Sequence, residues 1–140
     1  MMIYAAHPMT CYGTGHEARM LDALHTHFPA ATVLNPSSMY VTTEEWLDDW
    51  PHLLCTIDAL VVFPDRDGFV GLGVLQEAST ARARGIPVAT LDGEGSLRQY
   101  AGIETTGPYI SASRVGRLLL HGPVLSPGQI LQLDCMADPS

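Results

Sequence analysis

The stretch Ala59–Phe63, ALVVF, is apolar at every position and rich in β-branched residues. A strand without polar alternation has no face to offer water, so it belongs inside a parallel sheet covered by helices on both sides. The neighbouring segments supply that setting. Met1–Ala6 is a short β-prone run halted near Pro8. Ala18, Leu21, Leu24 and Phe28 recur at helical spacing and predict a helix over His16–Phe28. Thr32–Leu34 reads as a second strand ended by Asn35-Pro36. Thr43–Leu54 reads as a helix whose Thr-Thr-Glu-Glu start offers an N-cap and an acidic first turn. After the third strand, the loop PDRDGFVGLG leads to a helix from about Val74 to Arg84, closed by Gly85, and Ile86–Leu91 is a fourth strand. Alternating strands and helices with short links define an α/β chain. The expected fold is a flavodoxin-like, doubly wound parallel sheet of about five strands in three α/β/α layers.

Beyond Asp92 the pattern weakens. Glu94–Gly102 reads as a short helix, Tyr109–Ser113 as a fifth strand, Arg114–Leu120 as either type, and the remainder as irregular. One domain over residues 1–140 is expected, with 1–92 as its core. Hydrophobic content of 46% against 16% charged excludes a disordered chain. The net charge is −8 and the seven basic residues are scattered arginines, which argues against a nucleic-acid polymer as partner. Cys11, Cys55 and Cys135 are odd in number and lack CxxC spacing, so neither a disulfide framework nor a zinc knot is expected. With no signal-peptide pattern and no apolar run of membrane length, the expectation is a cytoplasmic protein that meets no membrane.

In open α/β sheets, ligands bind beyond the carboxyl ends of the strands. PMTCYGTG, NPSSMY and PDRDGFVGLG arrive there, and polar and glycine residues concentrate in them. Gly71 and Gly73 would let backbone approach a ligand closely at a helix start with free N–H groups. Glu77 follows about one turn later, where the helix dipole favours an ionised carboxylate and hence a nucleophile. The plainer reading is an acidic residue favoured near a helix start.

These residues, taken in order, resemble the nucleoside 2-deoxyribosyltransferase superfamily, which includes 2'-deoxynucleoside 5'-phosphate N-hydrolases. The matching positions are Ile3-Tyr4-Ala5-Ala6-His7-Pro8-Met9-Thr10, Asn35-Pro36, Trp46, Asp58-Ala59, Gly71-Leu72-Gly73, Glu77-Ala78 and Gly85-Ile86-Pro87-Val88. They cover about two thirds of the chain. The resemblance implies cleavage or transfer at the N-glycosidic bond of (2'-deoxy)nucleosides or nucleotides through a covalent glycosyl-glutamate. Glu77 would be the nucleophile, Tyr4 would orient it, and Asp67 or Asp65 would handle the base. Substrate contacts would come from His7, Pro8, Met9, Thr10, Tyr12 and Gly13 in the first loop, Asn35 after the second strand, and Asp58, Asp65, Gly71 and Gly73 around the third. The implied partner is a small nucleoside or nucleotide, the implied assembly a homo-oligomer, and no metal or organic cofactor is called for. Two departures from the family bear on substrate. His7 stands where a small Gly is usual, and Gly71 where the nucleotide hydrolases carry a phosphate-contacting Ser. The alternatives are a strict nucleoside 5'-monophosphate N-glycosidase and a non-catalytic nucleotide-binding module.

Other residues have plainer readings. His7 reads first as a hydrogen-bonded structural histidine and second as a general acid. His16, His25 and His27 do not share the one-turn spacing of a metal pair. Trp46 and Trp50, one turn apart, read as packing ahead of ligand stacking. Cys11 lacks a partner base for thiol chemistry. Tyr12 and Tyr40 either stack on a base or cover the crevice edge. Glu44, Glu45, Asp48 and Asp49 read as a solvated helix start, and Arg114 or Arg117 as a remote option for a phosphate contact.

Overall fold

A computed structural model describes residues 1–105, 111 and 114–133. Strand β1 (Met2–Ala6) is followed by a 3-10 turn at Met9–Cys11 and helix α1 (Gly15–His27). Then come β2 (Thr32–Leu34), the short α2 (Pro36–Met39), α3 (Thr43–Leu53), β3 (Ala59–Val62), the two-residue β4 (Phe69–Val70) and α4 (Leu72–Ala83). The chain continues through β5 (Val88–Leu91), β6 (Leu97–Gln99), β7 (Ile103–Glu104), β8 (Gly116–Leu118) and α5 (Pro127–Leu131).

The main sheet has the order β2-β1-β3-β5-β6. Its first four strands are parallel, with Ile3 opposite Ala59, Ala6 opposite Val62 and Leu60 opposite Val88. β3 is buried throughout, as its unbroken apolar sequence requires. Alternation along the strands divides the core into two layers. Ile3, Ala5, Val61, Ala89 and Leu91 pack with Met20, Leu24 and Phe28 of α1 and Ile130 of α5. Tyr4, Ala6, Leu60, Val62 and Val88 pack with Trp50 of α3 and Val74, Ala78 and Ala81 of α4. This is the flavodoxin-like three-layer arrangement, and β1 and β3 at its centre bring their loops to one crevice.

Local chemistry sets the helix starts. Thr14 accepts from Glu17 N at 3.3 Å, and Thr42 accepts from Glu45 N at 3.1 Å while Glu45 Oε2 takes the Val41 N–H at 3.0 Å. The acidic start of α3 is therefore a cap as well as a solvated face.

The second half departs from the sequence reading in two places. Glu94–Gly102 is not a helix. Asp92 Oδ1 accepts from Glu94 N and Ser96 N, both at 2.9 Å, and Gly95 adopts φ 83°, so the chain turns back and β6 runs antiparallel along β5. The last segment holds α5 where irregular chain was expected, because Ser126 and Gln129 form a reciprocal capping box with Pro127 at the first helical position. The Arg114–Leu120 segment contributes β8, which joins β4 and β7 in a small antiparallel sheet. Apart from Ser111, the strand expected over Tyr109–Ser113 lies outside the described residues, as does Cys135. Among the described residues no helix is long and apolar enough to cross a membrane.

Gly122 is buried where the chain passes behind β6, and a Cβ there would run into the Gln99 carbonyl. Gly93, by contrast, has no atom within 4 Å of such a Cβ. Gly122→Ala is expected to destabilise the fold by about 2 kcal/mol or more, since backbone and not a movable side chain must yield. Gly93→Ala is expected to change stability by less than about 0.5 kcal/mol. Urea denaturation of the two variants beside the wild type checks the contrast.

Candidate functional site

α4 starts at once after β4, with Gly71 as an extended N-cap. The helix buries Val74, Glu77, Ala78 and Ala81, which share one stripe at helical spacing. Three of these are the small apolar residues a helix needs to lie close on a sheet. The fourth is a carboxylate. Glu77 is only 3% exposed, and a charge in such a place is costly unless donors meet it.

Two donors do. Tyr4 projects from β1 toward the same layer and its hydroxyl donates a short hydrogen bond to Glu77 Oε2. The half-buried Trp46 of α3 donates from Nε1 to the same oxygen at 3.0 Å. Among the described residues no donor reaches Oε1. Burial pushes the Glu77 carboxyl up to about 7, although the Tyr4 and Trp46 hydrogen bonds pull the other way. The helix-start effect expected from sequence is thus outweighed by desolvation. Tyr4 is itself pushed far above the ordinary phenol range, first by burial and then by the Glu77 charge, so it remains a donor.

Two further tyrosines feel the charge of this carboxylate. The Tyr12 hydroxyl is raised by burial and next by the charge of Glu77. Tyr40 is raised by burial, by its 2.6 Å hydrogen bond to Asp49 and by the Glu77 charge. Among the described residues, the direct partners of the buried acid are Tyr4 and Trp46.

The other residues expected at the site divide clearly. His7 is fully buried and both ring nitrogens are engaged, Nδ1 with Ala5 O at 2.8 Å and Nε2 with Glu17 Oε2 at 2.7 Å. A carbonyl only accepts, so Nδ1 carries hydrogen, and His7 is a structural tie between β1 and α1 with no nitrogen left for a ligand. Burial works against ionisation of Glu17, but hydrogen bonds from His7, Gly13 N and Ser37 outweigh it and hold this carboxyl below its ordinary range. Pro8 is buried ahead of the 3-10 turn, whereas Met9, Thr10 and Gly13 are exposed on the loop beyond β1. The Tyr12 ring meets His7 edge-on at 5.1 Å. Asn35 caps α2, accepting from Ser37 N at 3.0 Å.

Asp65 is turned into its own loop. Oδ1 accepts from Asp67 N and Phe69 N at 2.9 Å, and Oδ2 pairs with Arg114 Nε at 3.1 Å. Asp67 pairs with Arg114 Nη2 at 2.6 Å and its side chain is 63% exposed. Asp65, Asp67 and Arg114 thus form one ion-pair cluster in the loop beyond β3. Asp58 precedes β3 and accepts from Met2 N at 2.8 Å, at the amino end of the strands and opposite to the crevice. The Trp46 ring lies over Gly73, where a Cβ would make ordinary van der Waals contact with it at 3.4 Å.

Burial raises the Cys11 thiol to about 11, which leaves it protonated and unreactive at neutral pH. Among the described residues no group of three or more His, Cys, Asp or Glu side chains is placed to hold a metal ion. Trp46 is the site residue that a packing assignment overlooks.

Comparison with protein families, with characterised proteins and with solved structures gives no match to this chain.

An acid whose folded value lies near 7 stays protonated in the folded chain at pH values where the unfolded chain has already ionised, from about 4.5 upward. The folded state therefore binds the extra proton, and stability falls as pH rises from about 4.5 to about 7 before levelling. Glu77→Gln removes that penalty. At pH 8 the variant is expected to exceed the wild type by on the order of 2 kcal/mol, with the gap closing near pH 5. Denaturation curves at the two pH values measure it.

Proposed function

We propose that this protein cleaves or transfers the N-glycosidic bond of (2'-deoxy)nucleosides or nucleotides, with Glu77 as nucleophile. The observation that carries the reading is a single buried carboxylate with both donors on Oε2 and Oε1 left to react. Glycoside cleavage through an oxocarbenium-like transition state needs a carboxylate beneath the anomeric carbon. Oε1 attacks C1', the C1'–N bond breaks with its electron pair leaving on the base, and a glycosyl ester forms. Water then attacks C1' as its proton passes to the departed base anion and the ester C–O bond breaks back onto Glu77, giving the free sugar, or the deprotonated nitrogen of a second base attacks instead and a new nucleoside results. Tyr4 keeps Oε2 occupied through both steps and so fixes the rotamer of the nucleophile. The motif resemblance centred on Tyr4, Gly71-Leu72-Gly73 and Glu77 supports the same assignment. A cytoplasmic setting and a homo-oligomer belong to this proposal, and the free thiols of Cys11 and Cys55 fit a reducing compartment.

One observation favours a second reading. At 3% exposure Glu77 is a deeply placed group for a substrate to reach, and a module that binds a nucleotide without turning it over needs no such access.

Incubation with a panel of nucleosides and their 5'-monophosphates, with and without an acceptor base, distinguishes these outcomes by chromatography of the free base. Wild type is expected to release base, with a rate that rises with pH through about 7 as Glu77 ionises. Glu77→Gln is expected to lose at least about 1000-fold of that rate. Equal rates in the two proteins would remove Glu77 as nucleophile, and saturable binding without base release would favour the binding module.

A further inference from the structure

Tyr4 alone would satisfy one lone pair of Glu77, yet a second donor arrives from a different layer element. Trp46 sits on α3, 31 positions earlier in the chain, and reaches Oε2 at 3.0 Å. Three features hold it there. Its ring stacks on Trp50 one turn later, with centroids 5.4 Å apart and planes 18° from parallel. It lies over Gly73 of α4, where a Cβ would stand 3.4 Å from Cη2 and 3.5 Å from Cζ2. Its indole N–H is a donor only, so it cannot take the Glu77 proton and can only favour the ionised form.

A tryptophan used purely as packing has no need of a buried carboxylate at its nitrogen. With Tyr4 on one side and Trp46 on the other, the carboxylate is pinned by two donors from two elements, and its rotation about the final torsion is blocked. Pinning also decides which oxygen reacts, because Oε2, holding two hydrogen bonds, has both acceptor positions filled.

We propose that Trp46, seated by Gly73 and Trp50, is a positioning residue that fixes the Glu77 carboxylate and leaves Oε1 as the attacking oxygen. The catalytic part of this statement rests on the glycosidic-bond reading above, while the coupling of Trp46 to Glu77 stands on geometry. The Tyr4 hydroxyl, the other donor to Oε2, stays in place in the variants below, as do Tyr12 and Tyr40, the other tyrosines raised by the Glu77 charge.

The test follows the Glu77 carboxyl directly, by carbon NMR of side-chain-labelled glutamate across pH 4–9, with Glu77→Gln to assign the signal. Trp46→Phe keeps a ring against Trp50 and deletes only the donor. Loss of one hydrogen bond to a carboxylate moves the midpoint up by about half a pH unit or more. Gly73→Val, whose branches extend beyond a Cβ already in contact with the ring, displaces the indole and is expected to shift it in the same direction. Trp50→Phe, which leaves the indole donor intact, is expected to shift it less than Trp46→Phe. In activity, Trp46→Phe is expected to lower kcat by about 10-fold or more, to leave KM near the wild-type value and to move the acidic limb upward with the midpoint. An unchanged midpoint in both Trp46→Phe and Gly73→Val would overturn the proposal, and Gly73→Val decides it should Trp46→Phe fail to fold. If wild type releases no base while the midpoint still moves, the glycosidic reading falls and the Trp46–Glu77 coupling survives.

Discussion

A strand buried along its whole length dictates most of this molecule. β3 has no residue for water, so helices must cover it on both faces, and the parallel strands β1 and β5 must flank it. Once β1 pairs with β3 in this register, the alternation of side chains leaves no freedom about which face each residue serves. Tyr4 is committed to the layer shared with α3 and α4, whereas Ile3 and Ala5 are committed to the layer of α1. The hydroxyl of Tyr4 is thereby delivered inside a hydrophobic layer, where it has to find an acceptor. The carboxylate of Glu77 is under the same necessity from the helix side. Neither group is tolerable alone, and their meeting removes both problems.

The balance of forces at that meeting is what makes the site chemically useful. Two hydrogen bonds favour the charged carboxylate and burial disfavours it by more, which leaves a group poised close to neutrality. Fully solvated, the same acid would be ionised but weakly basic. Buried without donors, it would be neutral. The layer therefore contains one residue that works against stability at high pH.

Much of this was legible in the residues, and the parts that were not share a cause. β1, β3, β5, α1 and α4 follow from runs and periodicities longer than four residues, where burial speaks through composition. β6, β4 and β7 span two or three residues each and carry no period, so the Glu94–Gly102 segment offered a helix as readily as a turn. The capping box of α5 was written in Ser126 and Gln129, but five residues of helix gave it no apolar stripe to confirm it. Glu77 and Tyr4 emerged from motif and spacing together. Trp46 stood in the motif as well, but its role as a donor did not emerge, because its reach depends on how α3 passes over α4, a tertiary fact. Asp65 and Asp67 show the same limit. Nothing local marks the residue that pairs with both acids, Arg114, which lies 49 and 47 positions later.

That long reach bears on the order in which the molecule is assembled. The turn after β3 is closed by Asp65 onto its own backbone, but it is clamped only when Arg114 arrives and β8 pairs with β4. Such distant contacts incur a loop-closure entropy that nearby ones do not, and they form late. During synthesis the central sheet would have all its parallel strands before this clamp has left the ribosome. One wall of the crevice thus takes its final shape after the sheet beneath it, and its rigidity is a loan from the far end of the chain.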